Sequence, residues 1–490
     1  MLQLPFMFRK VLVANRGEIA VRVLRALRER RIPSVAVYSD ADRKSLAVQI
    51  ADEAAYLGAS PSSESYLRID KLLSAARAHG ADAIHPGYGF LSENAEFASA
   101  CADAGITFIG PSAASIRALG SKTAARQLAL SVGAPVVPGT DAAVSDITEA
   151  KRIASQIGYP VMIKAAAGGG GKGMRVVESE AGLEAALRDA SSEAERSFKS
   201  AEVYLEKALI HPRHVEIQLL GDHHGNLIHL GERECSLQRR HQKVIEESPS
   251  PLSALDPALR HRMGEAALKI ARAAGYSNAG TAEFLVDADR NFYFLEMNTR
   301  LQVEHPVTEL VTSVDLVHLQ LDLAAGAVLP LKQEDIRWTG HAIECRLYAE
   351  DPANNFFPSP GVIEKLELPS GPGVRLDSGI YEGWNVPLDY DPLLAKLAVW
   401  APDRLTAIAR LERALSETVI LGIRNNIHFF RQLLADPDVI AGNLHTTFLN
   451  TFRYQAPPPP SGEALAAALA AYRPKAAPLP LSRRSAWRNS

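Results

Sequence analysis

The segment Phe292–His305 has the pattern of a buried strand, yet it carries an unusual number of charged and amide side chains. Its first seven residues alternate as strand residues do. We expect one face to hold Phe292, Phe294, Glu296 and Asn298, and the other to hold Tyr293, Leu295 and Met297. Neighbours on one face lie about 7 Å apart, so Glu296 and Asn298 would direct their oxygens to one point. Charged residues rarely occupy such apolar surroundings unless they are paired or bind a cation.

A second carboxylate is predicted to join this face. Ala282–Val286 has the pattern of a preceding strand, and Asp287–Asn291 carries residues that favour turns. A turn centred on residues 289–290 sets Glu283 opposite Glu296, although a longer loop would shift that register. Two facing carboxylates and an amide oxygen are hard ligands, suited to Mg²⁺ that bridges nucleotide phosphates. The alternative is that these residues form structural ion pairs with nearby arginines.

Length, charge and cysteine content exclude several classes of protein. A chain of 490 residues suggests two to four domains. A net charge of −3 without a long basic run gives no support for nucleic-acid binding. Three scattered cysteines indicate a reduced compartment, and no apolar run is long enough to cross a membrane. The apolar N-terminus lacks a basic leader and a cleavage site, so we expect a cytoplasmic protein.

Strand and helix patterns alternate in the first part of the chain. Strand patterns occur at Val11–Ala14, Val35–Tyr38, Ala83-Ile84 and Phe108-Ile109. An amphipathic run after the first of them predicts a helix, and the alternation predicts a doubly wound parallel sheet. Asn15–Glu18 lacks the glycines of a dinucleotide fingerprint, which argues against dinucleotide binding there. His85–Phe90 is predicted to be a loop at the carboxyl edge of the sheet, where such folds bind ligands.

A second unit begins near Ser121 and contains a glycine-rich loop. Pro160–Ala165 has the pattern of a short buried strand, and residues 174–177 have that of another. Gly168–Gly173 lies between them, and its backbone N–H groups could approach phosphate oxygens closely. A P-loop would continue into a helix instead, so this is a different kind of phosphate loop. The alternative is a flexible linker.

A third unit, from about residue 341 to 452, mixes short strands with one long helix. Strands are predicted at Ala342–Leu347 and Gly361–Leu366, and the helix from Pro402 to Thr418. After Tyr454 the composition becomes rich in proline and alanine. This tail is predicted to be disordered or to serve as a docking linker, with a short helix at 462–472 as a further option.

Seven segments, in order, resemble the biotin carboxylase family of ATP-grasp ligases over residues 8–452. They are Phe8–Ala20, His85–Asn94, Lys164–Arg175, Arg213–Gln218, Glu232–Lys243, Glu296–Val307 and His341–Pro352. The resemblance implies an α/β fold (α+β overall) of the ATP-grasp type. Its implied parts are a doubly wound N-terminal domain at 1–120, an ATP-grasp domain at 121–335 with a mobile lid at 137–208, a mixed C-terminal domain at 336–453, and a tail at 454–490.

The resemblance also implies a role for each matching residue. The nucleotide would be bound by Lys122, Lys164, Gly170, Gly171, Glu206, Lys207, Leu209, His214, Gln238 and His241. Mg²⁺ (or Mn²⁺) would be bound by Glu283, Glu296 and Asn298, in agreement with the hairpin argument. Bicarbonate would lie against Lys243, Arg300, Gln302 and Val303, and Tyr88 would form a wall of the biotin pocket. Glu304 would be the general base, and Arg346 would face the biotin ureido oxygen; with Lys243 and Arg300 they form the implied catalytic set.

The implied activity is ATP- and bicarbonate-dependent carboxylation of biotin through carboxyphosphate. The sequence contains no Ala-Met-Lys-Met attachment site, so biotin would be carried on a separate biotin carboxyl carrier protein. A carboxyltransferase subunit would be the second partner, and the chain would form a homodimer. The final acceptor is expected to be acetyl-CoA or propionyl-CoA, while Asp389–Lys396 favours the propionyl-CoA, methylcrotonyl-CoA or pyruvate branch.

Three alternatives to this activity remain at the level of the sequence. The chain could be the corresponding subunit of a pyruvate carboxylase. It could be another ATP-grasp ligase of the carbamoyl-phosphate type, although such a ligase would not need Arg300–Glu304 followed by Arg346. It could also be an inactive scaffold subunit that senses ATP, but the intact set of charged residues argues against this.

Overall fold

The computed structural model describes residues 8–140, 143–144, 146–165, 175–198, 201–252, 256–458 and 461–462. The chain divides into two units, Met1–Tyr454 and Gln455–Ser490. The short helix predicted at 462–472 lies, apart from Gly462, outside the described residues. Among the described residues, no helix combines the length and the apolar character needed to cross a membrane.

A five-stranded parallel sheet forms the N-terminal part. Its strands are β1 (Val11–Val13), β2 (Ser34–Ser39), β3 (Glu53–Gly58), β4 (Ala83–His85) and β5 (Thr107–Phe108), in the order β3-β2-β1-β4-β5. Its helices are α1 (Gly17–Glu29), α2 (Leu46–Ile50), α3 (Ile69–Ala78), α4 (Ala95–Asp103) and α5 (Ala113–Gly120). Val11 and Val13 pack on the side of α1, and Leu12 packs on the side of α3 and α4. The predicted doubly wound sheet is therefore confirmed.

A small antiparallel sheet follows. Helix α6 (Lys122–Ser131) leads to α7 (Ile147–Ile157), β6 (Val161–Ala165), β7 (Arg175–Val177), α8 (Glu180–Phe198) and β8 (Val203–Lys207). The strand order is β7-β6-β8, and α7 and α8 share its apolar core. The predicted strand around Lys164 is confirmed, whereas the glycine loop Gly168–Gly173 lies outside the described residues.

An eight-stranded antiparallel sheet forms the centre of the molecule. Its first strands along the chain are β9 (Arg213–Gly221), β10 (Leu227–Arg239), β11 (Gln242–Ser248), β12 (Asn278–Val286), β13 (Phe292–Asn298) and β14 (His341–Tyr348). Helices α9 (Pro257–Ala273), α10 (His305–Thr312) and α11 (Leu316–Ala324) lie between them in sequence. Strand β11 pairs with β14, so the sheet continues from the second predicted unit into the third.

The hairpin of β12 and β13 confirms one prediction and corrects another. Glu283 faces Glu296, as predicted from the turn. The expected common face of Phe292, Phe294, Glu296 and Asn298 is wrong, because the register shifts by one residue between Glu283 and Phe284. Leu295 is left without a register partner, and Met297 joins Phe292 and Phe294 in the apolar core. This β-bulge turns Glu296 toward the cavity while the aromatic residues before it stay buried.

The C-terminal part completes the central sheet and adds three small ones. The remaining strands are β15 (Glu350–Asp351), β16 (Phe357–Pro358), β17 (Gly361–Val362), β18 (Lys365–Glu367), β19 (Val374–Ser378), β20 (Asn385–Val386), β21 (Leu393–Ala401) and β22 (Val419–Leu421). Strands β21 and β19 extend the central sheet beyond β14. The single strand predicted at Gly361–Leu366 is instead two strands, β17 and β18, because each pairs with a different partner.

Four α-helices lie among the described residues of this C-terminal part. They are α12 (Arg404–Glu417), α13 (Ile427–Leu434), α14 (Pro437–Ala441) and α15 (Phe448–Thr451). Helix α12 is the predicted long helix. It begins after Asp403, whose carboxylate accepts a hydrogen bond from the backbone N–H of Thr406 at 2.9 Å.

Candidate active site

A cavity of about 1330 Å³ opens between the N-terminal sheet, the small sheet β6–β8 and the central sheet. The predicted site residues that line it are Tyr88, Lys122, Lys164, Glu206, Lys207, Leu209, His214, Gln238, His241, Lys243, Glu283, Glu296, Asn298, Arg300, Gln302, Val303 and Arg346. Glu304 is fully buried behind the wall and contacts two lining residues. Gly170 and Gly171 lie outside the described residues. The fold therefore brings the described members of the predicted set to one place.

Lys243, on β11, lies at the centre of three buried carboxylates. Its Nζ is 2.5 Å from Glu216 Oε2, 2.9 Å from Glu283 Oε1 and 2.7 Å from Glu304 Oε1. Burial by itself lowers the pKa of a lysine, but these three carboxylates raise the pKa of Lys243 well above its usual value. Lys243 is therefore a fixed positive charge at the cavity wall.

Glu304 occupies the N-cap position of α10, yet its side chain does not cap the helix. Its carboxylate instead contacts Lys243 and, through Oε2, Nη2 of Arg346 at 3.0 Å. Burial would raise the pKa of Glu304, but the charges of Lys243, Arg346 and Arg233 hold it well below its usual value. The carboxylate is therefore ionised at neutral pH, with Lys243 and Arg346 as its counter-ions.

Two carboxylates hold the Arg346 guanidinium in place. Arg346 Nε donates to Glu246 Oε1 at 2.6 Å, and Nη2 contacts Glu304. Burial raises the pKa of Glu246 to about 7, although the charge of Arg346 opposes the rise. Charge-assisted hydrogen bonds of this kind fix both the position and the plane of a guanidinium. Arg346 therefore presents an oriented cation to the cavity.

The oxygen donors Glu283, Glu296 and Asn298 fit a divalent cation such as Mg²⁺. Glu283 and Glu296 are register partners, and all three residues line the cavity. Burial would raise the pKa of Glu283, but Lys243 and His214 hold it well below its usual value, so an ionised carboxylate is available. Two carboxylates and an amide oxygen are the ligand types that Mg²⁺ prefers.

Arg300 connects Asn298, one of the predicted metal ligands, with Gln302 in the segment after β13. Its Nη2 donates to Asn298 Oδ1 at 2.9 Å, and Nη1 donates to Gln302 Oε1 at 3.0 Å. Its Nε donates at 2.9 Å to Glu93, at the end of the His85–Asn94 segment. Gln302 in turn donates to Glu283 Oε1 at 3.3 Å. The segment that follows β13 is therefore hydrogen-bonded both to the N-terminal part, through Glu93, and to the buried carboxylate of Glu283.

Two of the predicted nucleotide residues, Lys122 and His214, contact the carboxylates of the predicted metal site. Lys122, the first residue of α6, places Nζ 3.1 Å from Glu296 Oε2, and Lys164 on β6 forms an ion pair with Glu206 on β8. His214 Nδ1 lies 2.6 Å from Gln238 Nε2.

The Lys207 side chain is turned away from this arrangement. Its Nζ donates to the carbonyl oxygens of Gly158 and Tyr159, at 2.8 Å and 3.0 Å. Lys207 therefore supports the loop before β6 while it lines the cavity.

Cys235 lies beside the carboxylate cluster but is not a reactive thiol. It is fully buried, and burial raises the pKa of its thiol well above the usual value. A protonated thiol is a weak nucleophile and a weak metal ligand. Cys235 therefore acts as a packing residue.

Three family models cover most of the chain in order. The N-terminal domain of biotin carboxylase matches residues 7–116, the ATP-binding domain of the carbamoyl-phosphate synthase L chain matches 121–332, and the C-terminal domain of biotin carboxylase matches 344–451. Biotin carboxylase 1 of Bacillus subtilis is 51% identical over 447 residues, which cover 91% of this chain and 99% of that protein. The chain belongs to the biotin carboxylase family. The predicted fold class and the prediction of an ATP-dependent ligase are thereby confirmed.

Other known proteins are similar to this chain over nearly the same residues. A pyruvate carboxylase subunit from Methanothermobacter thermautotrophicus is 53% identical, over 91% of this chain and 90% of that protein. A biotin carboxylase complex with β,γ-ATP from Campylobacter jejuni has a TM-score of 0.85 at 48% identity, over 91% of this chain and 99% of that one. The biotin carboxylase domain dimer of Hydrogenobacter thermophilus 2-oxoglutarate carboxylase, with MgADP, ADP and bicarbonate, has a TM-score of 0.85 at 46% identity, over 92% and 100%.

Several charged residues of the site were not singled out from the sequence. They are Glu18, Glu93, Glu216, Glu246, Glu344 and Lys396. Glu344 and Lys396 each lie within an apolar strand run, which is the signal that identified Glu296. A search for charged residues within every apolar strand pattern would therefore have found both Glu344 and Lys396.

Proposed function

We propose that this chain is the biotin carboxylase subunit of a multi-subunit carboxylase, and that it uses ATP, Mg²⁺ and bicarbonate to carboxylate biotin on a separate carrier protein. The observation that carries the proposal is the contact of Glu304 with both Lys243 and Arg346 at the cavity wall. The cation proposed for bicarbonate, Lys243, and the cation proposed for the biotin ureido oxygen, Arg346, thus share the carboxylate of the proposed base. The structures of two relatives contain β,γ-ATP in one case and MgADP, ADP and bicarbonate in the other, which supports the choice of substrates.

The first step is phosphorylation of bicarbonate. Lys122 and Lys164 would neutralise the ATP phosphates, and Glu283, Glu296 and Asn298 would hold Mg²⁺, which would add positive charge against the same phosphates. Lys243 and Arg300 would hold the bicarbonate anion. Glu304 would accept the bicarbonate proton as the bicarbonate oxygen attacks the γ-phosphorus, while the bond from that phosphorus to the β-phosphate oxygen breaks and ADP leaves.

The second step transfers the carboxyl group. Carboxyphosphate breaks its C–O bond to give CO₂ and phosphate, and the phosphate can remove the N1′ proton of biotin. Negative charge then develops on the ureido oxygen, where the oriented Arg346 guanidinium would stabilise it. The nitrogen attacks CO₂ and gives carboxybiotin. Tyr88 would form the wall of the pocket against which biotin lies.

A full set of partners is part of the proposal. These are a biotin carboxyl carrier protein, a carboxyltransferase subunit, plus a second copy of this chain, the last supported by the domain dimer of a structural relative. The three free cysteines are all buried, in keeping with a cytoplasmic location.

The acceptor we propose is acetyl-CoA or propionyl-CoA. Pyruvate is the second candidate, because the relatives at 53% identity include a protein from a pyruvate carboxylase.

The test is ADP release by the purified chain with ATP, Mg²⁺ and bicarbonate, with and without free biotin. We expect biotin to stimulate ADP release, and we expect Arg346→Ala and Glu304→Gln to abolish the stimulation. Arg272→Ala and Glu334→Gln are matched controls, because both residues are exposed and neither lines the cavity. Absence of stimulation in the unmodified chain would overturn the proposal.

A further inference from the structure

Lys396, on β21, is a fully buried lysine that no step of the proposed reaction uses. Its Nζ donates to the carbonyl oxygen of Val303 at 2.8 Å and lies 3.3 Å from Glu18 Oε1. It also lies 3.8 Å from Asp377 Oδ2 and 5.9 Å from the centre of the Tyr88 ring. The Lys396 ammonium group thus contacts the segment after β13, helix α1 and the loop after β4.

The Tyr88 hydroxyl belongs to the same network. It donates to Glu18 Oε1, the oxygen that faces Lys396. Burial raises the pKa of Glu18 to about 7, while the charge of Lys396 opposes the rise. Tyr88 and Val303 both line the cavity, whereas Lys396 does not. Lys396 therefore supports two walls of the pocket from behind.

The placement of Lys396 is unfavourable for stability alone. It is the register partner of Arg346 on β14, and like charges directly opposite one another in a sheet repel. Complete burial of an ammonium also carries a desolvation penalty, and an apolar residue of similar volume often serves stability as well or better. A residue with these disadvantages is most readily explained by what its hydrogen bonds position.

We propose that Lys396 is a positioning residue that sets the separation between the bicarbonate wall at Val303 and the biotin wall at Tyr88. The inference rests on the proposed function. Lys396 reaches Val303 directly and Tyr88 through Glu18, so it fixes the two walls relative to Arg346. Among the described residues, its contacts are with Val303, Glu18, Asp377 and Tyr88, and none of these is assigned to the nucleotide.

The test is the separate measurement of KM for ATP, bicarbonate and biotin in Lys396→Met. We expect KM for bicarbonate and for biotin to rise about tenfold or more, which is the usual effect of removing a residue that orients a ligand-binding group. KM for ATP should stay unchanged. Lys269→Met is the matched control, since Lys269 is exposed on α9. A merely structural role would lower the active fraction, and so kcat, with all three KM values unchanged; that result would overturn the inference.

Two milder variants decide the matter if Lys396→Met fails to fold. Glu18→Gln keeps the shape of the side chain, and we expect it to raise KM for biotin while KM for bicarbonate stays the same. Combining it with Tyr88→Phe should raise KM for biotin no further than the stronger single change, because both break one connection. Additive effects, or an unchanged KM for biotin in Glu18→Gln, would contradict the inference. Biotin stimulation of the unmodified chain is measured first, so that failure of the proposed function is recognised separately.

Discussion

Arg346 Nη2 lies 3.0 Å from Glu304 Oε2, although the two residues are 42 positions apart and belong to different elements. Glu304 precedes α10, and Arg346 lies within β14. Their contact connects the place where bicarbonate would lose its proton with the place where biotin would gain its carboxyl group.

Substitution of Glu304 tests the proposed base. We expect Glu304→Gln to lower kcat for bicarbonate-dependent ADP release by about 10²- to 10⁴-fold, the usual contribution of a positioned base. KM for ATP should change little, because Glu304 forms ion pairs with Lys243 and Arg346, and neither residue is assigned to the nucleotide. Steady-state kinetics measure both quantities. A kcat equal to that of Glu334→Gln would rule out Glu304 as the base.

Removal of the Lys243 charge should destabilise the fold. Lys243→Met leaves Glu216, Glu283 and Glu304 buried without their shared cation. Breaking a buried ion pair from one side lowers the free energy of unfolding by about 3–5 kcal/mol. Urea denaturation measures the change, with Lys269→Met as the control. A decrease in the free energy of unfolding of less than about 1 kcal/mol would show that these ion pairs are as weak as solvent-exposed ones.

The pH dependence of the free energy of unfolding should reveal the raised pKa of Glu18. Its pKa is raised to about 7 in the folded chain, so the folded state holds the Glu18 proton to higher pH than the unfolded state does. The resulting stabilisation is complete below the unfolded pKa of 4.5 and is lost as pH rises through about 7. Relative to Glu18→Gln, the unmodified chain should lose about 2 kcal/mol of unfolding free energy between about pH 5 and pH 8. Parallel stability curves for the two proteins would show that Glu18 ionises normally.

The oxygen donors predict a Mg²⁺ requirement that is sensitive to Glu296. Chelation by EDTA should abolish ADP release and added Mg²⁺ should restore it. Glu296→Gln should raise the Mg²⁺ concentration for half-maximal activity by about tenfold or more, since ligand charge tunes affinity for hard cations. A titration with Mg²⁺ at fixed ATP measures the shift. An unchanged half-maximal concentration would remove Glu296 from the ligand set.

The sequence predicted the hairpin of β12 and β13 well because its signals are local. Alternation and turn residues were enough to set Glu283 opposite Glu296. The bulge at Leu295 could not be predicted, because it depends on how Phe294 and Met297 pack into a core built from distant parts of the chain. Local patterns give the pairing, whereas tertiary packing decides where it is interrupted.

Where the residues behind the pocket wall meet could not be predicted, for a related reason. Glu18 lies on α1, Glu246 on β11 and Lys396 on β21, and only the folded chain brings them to one site. Resemblance to a family identifies residues that touch substrates, since they belong to recurring motifs. It gives no register between distant strands, and the pairing of Lys396 with Arg346 is a matter of register.

The most direct test of the central claim is transfer of label from radioactive bicarbonate to free biotin. The unmodified chain should place label in biotin only when ATP and Mg²⁺ are present. Arg346→Ala should still release ADP slowly in the presence of bicarbonate, yet leave biotin unlabelled, because the guanidinium that stabilises the ureido oxygen is gone. Release of ADP by the unmodified chain without label in biotin would contradict the account.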